Sequence, residues 1–286
     1  MKARLLLFVC LLVAAVAGGP LQTPYRRSPY VGAIAVDAAD GRMLLADAAE
    51  RTCYPASCTK LMTARLLLKA IREGTVQPGE MLVQSARSAA EQPSKLGLRP
   101  GEKISVRDAM TALMLKSAND VAVIVAERLG GTIEGFAVMM NAEAKALGMD
   151  DTVYVSPNGL PPPKGSKRGF DRSTAADLAK LARALVTEQP EILKFTSLAT
   201  ATVTGPGGQP VTLQNHNNFL WKRGVRISEV DGLKTGYIDA GGSSIVLTGA
   251  RAGKRAIVVV VGSASAAERE EHAGRLLRDA LDALSW

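Results

Sequence analysis

The sequence predicts an α+β fold in which a sheet packed by helices lies beside an all-helical lobe. Strand patterns occur near both ends of the chain, within residues 30–46 and 199–262. Between them, residues 106–147 have the apolar spacing of three successive helices, and residues 264–284 form a closing amphipathic helix. Strands on both sides of a helical block are typical of an α+β layer with a separate helical lobe.

A β-hairpin is expected at the start of this layer. Tyr30–Val36 alternates and is rich in small and β-branched residues, Asp37–Gly41 has turn chemistry, and Met43–Ala46 is the return strand. The next element is a helix over Cys58–Arg72, which Gly74 ends.

Glycines separate the three helices of the middle block. The predicted helices are Val106–Leu115, Asp120–Leu129 and Ile133–Leu147, with Gly130 and Gly148 as C-terminal stops. A loop rich in proline and glycine follows over residues 156–170.

The last third combines one more helix with several strands. Thr174 starts a helix to about Val186, and Asp177 stands at the capping-box position. Two strands flank a glycine-rich turn, and three antiparallel strands follow them. These five are Ala199–Thr204, Pro210–Leu213, Leu233–Ile238, Ser243–Ala250 and Arg255–Gly262.

The first 17 residues are predicted to be a signal peptide rather than part of the fold. Lys2 and Arg4 precede an apolar run over Leu5–Val16, and residues 15–17 supply a small-x-small cleavage pattern. Retention of this segment as an uncleaved anchor is the alternative. We expect an exported chain, periplasmic or extracytoplasmic, whose residues 18–286 form a single catalytic domain with no stable membrane anchor.

Composition excludes several classes of function. The formal charge of +8 comes from scattered basic residues that are rarely interleaved with aromatics, so nucleic acid is not a predicted partner. His216 and His272 are far apart, without a Cys or carboxylate cluster at ligand spacing, so neither a metal nor another cofactor is expected. For Cys53 and Cys58 we favour two buried thiols, although a disulfide remains open.

The first candidate catalytic motif is Ser57-Cys58-Thr59-Lys60. A serine hydroxyl is a weak nucleophile until a base takes its proton. Residues three apart on a helix share a face, so Lys60 can reach the Ser57 hydroxyl. Alone the motif is weak, because a capping serine and a solvated lysine produce the same pattern.

Two further motifs have the same ambiguity when each is taken alone. Ser117 and Asn119 fall in the break between two helices, where they can face a cleft or act as helix caps. Lys234-Thr235-Gly236 lies on a predicted strand, where Gly236 lets a substrate backbone approach closely. Together, in this order and in these contexts, the three motifs point to one mechanism.

The chain resembles the low-molecular-mass penicillin-binding proteins, the D-alanyl-D-alanine carboxypeptidases of serine peptidase family S11. The resemblance spans almost all of the chain after Val31. The matching stretches are Tyr54–Thr63, Leu115–Asp120, Met140–Met149, Ser156–Leu160, Ser173–Leu178 and Asp231–Tyr237. The resemblance implies a β-lactamase/transpeptidase-like fold, with a five-stranded antiparallel sheet flanked by helices and the active site beside the helical lobe.

The resemblance also implies how the reaction begins. Ser57 would attack the penultimate D-Ala carbonyl of a peptidoglycan stem peptide while Lys60 accepts its proton. The backbone N–H groups of Ser57 and Tyr237 would form the oxyanion hole, and Asn119 would orient the peptide. β-Lactam antibiotics would acylate the same serine as covalent inhibitors.

The leaving-group side is implied in the same way. Ser117, helped by Lys234, would pass a proton to the departing D-Ala, and Thr235 and Arg269 would hold its carboxylate. The positive charge of Lys234 would also favour the neutral form of Lys60. Cys58 and Ala118 depart from the residues commonest in the family, and no C-terminal β-sandwich domain or amphipathic anchor is expected.

Three other functions stay open. A D,D-endopeptidase of the same family would carry the same motifs. A class A-like β-lactamase would need a deacylating glutamate, and Glu188 and Glu191 lack its sequence pattern. A wall-binding protein on an inactive scaffold is disfavoured because all three motifs are intact.

Overall fold

The computed structural model describes residues 30–166 and 168–285 of the chain. The predicted signal peptide, residues 1–17, lies outside them. The described strands are β1 (Gly32–Asp37), β2 (Met43–Asp47), β3 (Met81–Val83), β4 (Lys103–Ser105), β5 (Thr200–Thr204), β6 (Pro210–Gln214), β7 (Val230–Ile238), β8 (Gly242–Arg251) and β9 (Lys254–Ser263). The α-helices are α1 (Lys60–Arg72), α2 (Ala86–Ala89), α3 (Val106–Thr111), α4 (Asn119–Gly130), α5 (Ile133–Ala146), α6 (Ala175–Glu188), α7 (Leu193–Thr196) and α8 (Ala266–Leu284).

Five antiparallel strands form the central sheet in the order β2-β1-β9-β8-β7. This is the five-stranded antiparallel sheet, flanked by helices, that the family resemblance implied. The predicted hairpin is its β1–β2 edge, with Ala35 opposite Leu45. At the other edge, β7 pairs with β8 so that Lys234 faces Val246. The remaining strands form two separate antiparallel pairs, β3–β4 and β5–β6.

The central strand β9 is buried on both faces, which explains its unbroken apolar run. Ile257, Val259 and Val261 belong to the core under the helical lobe, whereas Val258 and Val260 belong to the core under α8. Successive side chains of a strand point to opposite faces of the sheet, so one run serves both cores. Helix α8 covers one face, and α6 packs on the other.

The helical lobe follows the predicted order with one difference. The first predicted helix, Val106–Leu115, continues as α3 only to Thr111 and then widens into a π-helical segment over Ala112–Lys116. Ser117 ends that segment in the left-handed conformation at φ 58°. The next helix, α4, begins two residues later, so the break expected between the two helices is present.

Only one of the two hydrogen bonds of a capping box is present at the start of α6. Thr174 Oγ1 accepts a hydrogen bond from the Asp177 amide at 3.0 Å. The Asp177 carboxylate does not return a bond to Thr174, because it accepts from the Asp151 amide at 3.0 Å and from Thr152 Oγ1 at 2.8 Å. It therefore ties α6 to the preceding loop rather than closing the cap.

None of the helices within the two described ranges combines the length and the apolar character needed to cross a membrane.

Candidate active site

Ser57 lies in a tight turn held from two sides. The turn is a 3₁₀ segment over Ala56–Thr59 that runs into α1. Ala56 has a positive φ of 50°, a backbone conformation that non-glycine residues seldom adopt. A Cβ on Gly159 would lie 1.9 Å from the Ala56 carbonyl oxygen, so the loop after Ser156 packs directly against this turn. This packing holds the backbone that presents Ser57.

Lys60 is fully buried, and its ammonium nitrogen lies among three oxygen atoms. Nζ is 3.0 Å from Ser57 Oγ, 2.7 Å from Asn119 Oδ1 and 2.8 Å from the Asn158 carbonyl oxygen. The amide and carbonyl oxygens can only accept hydrogen bonds. A neutral lysine would therefore donate its two hydrogens to Asn119 and Asn158, which leaves its lone pair facing the Ser57 hydroxyl.

The surroundings of Lys60 favour that neutral state. Burial, and then the positive charge of Lys234, hold the pKa of Lys60 well below its usual value. Lys234 is also buried, and desolvation, with a smaller contribution from the positive charge of Arg269, lowers its pKa to about 8. Its Nζ donates to the Thr235 carbonyl at 2.8 Å. Two lysines in one buried region can thus hold different charges near neutral pH.

Ser117 and Asn119 lie on either side of the junction between the π-helical segment and α4. Asn119 is held on three sides, because its amide donates to the Ser94 carbonyl at 2.8 Å and its Nδ2 to the Gln92 carbonyl at 2.9 Å, while Oδ1 accepts from Lys60. Ser117 Oγ is buried and has no hydrogen-bond partner among the described residues. A hydroxyl without a partner in a cleft is free to bond a substrate atom.

Gly236 has a packing role that the sequence did not indicate. The expectation that its missing side chain admits a substrate backbone stays a prediction. A Cβ there would lie 2.8 Å from the Pro55 carbonyl oxygen and 3.1 Å from the Ser57 nitrogen. The glycine therefore lets β7 pack against the turn that carries Ser57.

The two cysteines are buried free thiols, as favoured from the sequence. Cys58 Sγ donates to the Lys234 carbonyl at 3.7 Å and so links the Ser57 turn to β7. Burial raises the pKa of Cys58 to about 11, and burial also raises the pKa of Cys53. Neither thiol is a ready nucleophile, because the reactive form is the thiolate.

All nine sequence-predicted site residues lie together. Seven of them line one cleft of about 270 Å³: Ser57, Ser117, Asn119, Thr235, Gly236, Tyr237 and Arg269. The other two, Lys60 and Lys234, are 0% and 1% exposed and lie beneath its surface. The Tyr237 side chain is 60% exposed, and its hydroxyl donates to Asp239 Oδ1 at 2.8 Å.

Several residues of the site were not assigned a role from the sequence. The Asn158 carbonyl accepts from Lys60, and Asn158 Nδ2 donates to Glu91 Oε2 at 3.1 Å. His216 lines the cleft; partial removal from water, then the charges of neighbouring lysines, lower its pKa to about 4. The stretch Ser156–Leu160 carried a sequence signal, but nothing in it showed that a backbone oxygen would be the contact.

Asp171 supports the same region from below. Its carboxylate accepts from Thr59 Oγ1 at 2.9 Å, Ser156 Oγ at 2.9 Å and the amides of Val155 and Ser156 at 2.7 and 3.0 Å. It thereby joins the residue before Lys60 to the loop that supplies Asn158. No sequence pattern singled out this buried carboxylate.

Across residues 30–166 and 168–285, no three His, Cys, Asp or Glu side chains come together as a potential metal site.

The chain matches a known enzyme family over most of its length. Residues 30–265 match the family described as D-alanyl-D-alanine carboxypeptidase, peptidase S11.

Curated relatives agree with this match. The chain is 32% identical over 290 residues to D-alanyl-D-alanine carboxypeptidase DacD of Escherichia coli K12, covering 97% of this chain and 71% of that protein. It is 29% identical to DacF of Bacillus subtilis 168, covering 86% of this chain and 60% of that protein. The chain thus spans between 60% and 71% of the length of these relatives.

Solved structures share the architecture. Penicillin-binding protein D2 of Listeria monocytogenes in its ampicillin-bound form is 31% identical, with a TM-score of 0.74 over 89% of this chain and 98% of that chain. Penicillin-binding protein 6B of Escherichia coli is 31% identical, with a TM-score of 0.77 over 90% of this chain and 80% of that chain.

Proposed function

Because the chain belongs to the peptidase S11 family of D-alanyl-D-alanine carboxypeptidases, we propose that it removes the terminal D-alanine from peptidoglycan stem pentapeptides through an acyl-enzyme on Ser57. The observation that carries the proposal is the environment of Lys60. This lysine is buried, has a lowered pKa and lies 3.0 Å from Ser57 Oγ. A neutral amine at hydrogen-bond distance is what an unactivated serine needs.

Acylation begins with proton transfer inside this pair. Ser57 Oγ attacks the carbonyl carbon of the penultimate D-Ala, and its proton passes to Lys60 Nζ. The oxyanion accepts hydrogen bonds from the backbone N–H groups of Ser57 and Tyr237, each of which is worth about 10²–10³ in rate when removed singly. Asn119, held by the Gln92 carbonyl, orients the acyl peptide.

The leaving group departs toward Ser117 and Arg269. The C–N bond breaks as Ser117 Oγ, buried and without another partner among the described residues, passes its proton to the D-Ala nitrogen. Ser117 takes in return the proton that Lys60 received from Ser57, so Lys60 is neutral again before water attacks. The charge of Lys234 assists this transfer. Thr235 Oγ1 and the buried guanidinium of Arg269 bind the terminal carboxylate, since both line the cleft.

Water then completes the cycle. It attacks the ester carbonyl, Lys60 takes one of its protons, and the shortened peptide leaves with Ser57 regenerated. A β-lactam would open on Ser57 and remain there as a slowly hydrolysed ester. The related Listeria protein was solved with ampicillin and with cefotaxime bound.

The β-lactamase alternative is less well supported. Glu188 Oε2 lies 2.8 Å from the Arg65 guanidinium, and Glu191 pairs with Arg72 at 3.5 Å. Neither glutamate lines the cleft. A carboxylate engaged elsewhere cannot activate a deacylating water at Ser57.

Export remains part of the proposal, because the substrate lies outside the cytoplasm. The segment that would direct it, residues 1–17, lies outside the described residues. Analysis of the N-terminus of the secreted or periplasmic protein would test cleavage after Ala17.

Release of D-alanine tests the activity itself. The mature chain and Ser57→Ala would be incubated with diacetyl-lysyl-D-Ala-D-Ala, and free D-Ala would be measured. We expect release by the parent and none above background by Ser57→Ala. If the folded parent releases no D-Ala, the result would contradict the proposed activity and favour a wall-binding protein on an inactive scaffold.

A further inference from the structure

A short segment of the chain holds Asn119, one of the residues that accept a hydrogen bond from Lys60. The segment consists of residues 91–94 and follows α2, and we refer to it as the 91–94 segment. Its Gln92 carbonyl accepts from Asn119 Nδ2 at 2.9 Å, and its Ser94 carbonyl accepts from the Asn119 amide at 2.8 Å. The backbone of this segment therefore fixes one of the two oxygens that receive a hydrogen of neutral Lys60.

The same segment contacts the second acceptor through a side chain. Glu91 Oε2 accepts from Asn158 Nδ2 at 3.1 Å, and the Asn158 carbonyl accepts from Lys60 Nζ at 2.8 Å. Asn158 is 3% exposed, and its Oδ1 accepts from the Leu160 amide at 3.0 Å. Both ends of its side-chain amide are thus engaged, one by its own loop and one by Glu91. Because the amide and the carbonyl belong to one residue, the Glu91 contact restricts the direction in which that carbonyl points.

Glu91 is itself held in place. Its backbone amide donates to the Ser88 carbonyl of α2 at 3.2 Å. Helix α2 begins after Ser85, whose Oγ donates to Glu127 Oε1 of α4 at 2.9 Å. The Glu91 side chain is partly buried. A carboxylate anchored in this way on packed helices can orient a neighbouring residue.

The direction of the Asn158 carbonyl matters because a neutral lysine has two hydrogens and one lone pair on its amine. When Asn119 and Asn158 each accept one hydrogen, the lone pair faces Ser57 Oγ, which lies 3.0 Å away. If one acceptor turns away, the amine can rotate and present an N–H group to Ser57 instead. The amine then cannot take the serine proton until it rotates back. Asn158 therefore contributes to the orientation of the base.

We propose that Glu91 is a positioning residue for the Lys60 base, which acts through Asn158 and raises the rate of the chemical steps without binding the substrate. This inference rests on the proposed acyl-enzyme chemistry at Ser57. Glu91 and Asn158 are not among the described residues that line the cleft, whereas Ser57 and Asn119 are. We therefore expect a change at Glu91 to lower kcat and to leave KM nearly unchanged.

The charge of Glu91 has a separate effect on Lys60. Burial and then the charge of Lys234 lower the pKa of Lys60, whereas the negative charge of Glu91 raises it. The titratable groups that face Lys60 are Lys234, Cys58, Asp171, His216 and Glu91. Burial raises the pKa of Glu91 itself, and the Asn158 hydrogen bond with the charges of Arg168, Arg87 and Lys60 opposes that rise. Loss of the Glu91 charge should therefore move the acidic limb of the rate to lower pH.

Two substitutions separate the position of Glu91 from its charge. Glu91→Gln keeps an oxygen that can accept from Asn158 Nδ2 but removes the charge, whereas Glu91→Ala removes both. In Glu91→Ala we expect kcat for D-Ala release from diacetyl-lysyl-D-Ala-D-Ala to fall at least about tenfold, since misplacing a catalytic group can cost up to about a hundredfold. KM should stay within about twofold. At its pH optimum, Glu91→Gln should keep kcat within about threefold of the parent, with its acidic limb at lower pH.

A double-mutant cycle with Asn158→Ala tests whether Glu91 acts through Asn158. Asn158→Ala keeps the backbone carbonyl but removes the amide that Glu91 holds. Adding Glu91→Ala to Asn158→Ala should therefore lower kcat by less than about a further twofold. Glu50→Ala, a change of an exposed glutamate outside the cleft, is the control and should leave kcat, KM and the pH profile unchanged. Thermal melting of each variant would show that it is folded.

The outcomes separate this inference from the proposed function. If the parent releases D-Ala and folded Glu91→Ala matches it in kcat, the inference is overturned and the carboxypeptidase is left intact. Equal losses of kcat in folded Glu91→Gln and Glu91→Ala, or additive losses in the cycle, overturn it as well, because the contact with Asn158 is then not what Glu91 provides. A rise in KM without a fall in kcat would assign Glu91 to substrate binding and overturn its positioning role. A parent that releases no D-Ala contradicts the proposed function, and the inference with it.

Discussion

Lys60 and Lys234 are two lysines, 0% and 1% exposed, whose positive charges disfavour each other. Desolvation lowers the pKa of both, but Lys60 has the additional contribution of Lys234 and keeps its pKa well below the usual value. Lys234 titrates at about 8. The site can therefore contain a neutral base at Lys60 and a cation at Lys234 at the same pH, which the proposed mechanism needs.

Removing the charge of Lys234 should change the pH dependence of acylation. In the parent, the rate rises as Lys60 loses its proton and falls near pH 8 as Lys234 loses its own. In Lys234→Met the pKa of Lys60 rises, so the acidic limb moves to higher pH and the limb near pH 8 disappears. Benzylpenicillin acylation rates across pH would measure both limbs. An acidic limb at the same pH in parent and variant would show that the charge of Lys234 does not affect the pKa of Lys60. Lys254→Met, which removes an exposed lysine outside the cleft, is the control and should leave the pH profile unchanged.

A negative charge beside Lys60 should hold this lysine in its protonated form and so prevent it from acting as a base. Asn119→Asp introduces that charge with little change in side-chain shape. Asn119 Oδ1 lies 2.7 Å from Lys60 Nζ, so Asn119→Asp places a carboxylate there and stabilises the ammonium form. We expect acylation near pH 7 to fall by at least about tenfold, a loss equivalent to one pKa unit or more. The difference in acylation rate between the parent and Asn119→Asp should become smaller as the pH rises, because Lys60 then loses its proton in both. A rate equal to that of the parent at neutral pH would contradict the assigned role of Lys60.

The Asp171 carboxylate should contribute to stability through its four hydrogen bonds. Asp171→Asn replaces the acceptor oxygen of the Thr59 and Ser156 hydroxyls with an amide NH₂, so those two bonds to a charged acceptor are lost. We expect a loss of about 1–3 kcal/mol in the free energy of unfolding. Urea unfolding would measure it. Asp150→Asn, an exposed control, should change stability by less than about 0.5 kcal/mol. Equal stability of parent and Asp171→Asn would show that these bonds are not needed.

The buried ion pair between α1 and α5 can be compared with an exposed ion pair within α8. Arg65 Nε lies 2.8 Å from Glu143 Oε1, and both side chains are less than 9% exposed. Arg65→Ala leaves Glu143 with Lys69 as its remaining ionic partner and should cost about 3–5 kcal/mol. Arg275→Ala, which breaks the exposed pair with Glu271, should cost at most about 0.5 kcal/mol. Similar losses of unfolding free energy in Arg65→Ala and Arg275→Ala would contradict the expectation that a buried ion pair costs more to break than an exposed one.

The same pair has a defined pH dependence. Although burial opposes it, the hydrogen bonds from Lys69 and Arg65 lower the pKa of Glu143 below 4.5. A carboxyl whose pKa is lower in the folded than in the unfolded state stabilises the fold at pH values above its unfolded-state pKa. That contribution disappears as the pH falls through the folded-state pKa. The stability gap between parent and Arg65→Ala should therefore narrow in acid, which urea unfolding at a series of pH values would measure.

Most of the fold followed from local patterns. The alternation of β1 and β2, the apolar run of β9 and the glycine stops after α4 and α5 all predict elements that the structure contains. The π-helical segment over Ala112–Lys116 could not be predicted, because a single wide turn leaves no distinct period in the spacing of its side chains. Strand β4 has three residues, too few for a pattern, and its pairing with β3 shows only in three dimensions.

The site was predictable where side chains carry the chemistry and not where the backbone does. Ser57, Lys60 and Asn119 were predicted from residue type and order, and the structure brings their side chains within hydrogen-bond distance of one another through Lys60 Nζ. The Asn158 carbonyl, which accepts from Lys60, has no signature because every residue has a carbonyl. The packing role of Gly236 against Ser57 required the geometry of two segments that are distant in sequence.

Mass spectrometry of the mature protein after incubation with benzylpenicillin, followed by peptide mapping, tests the central claim most directly. We predict a persistent penicilloyl adduct on the peptide that contains Ser57, absent from Ser57→Ala and slow to form in Lys60→Met. No adduct on a folded protein, or an adduct on any other residue, would contradict the assignment of Ser57 as the nucleophile and Lys60 as its base.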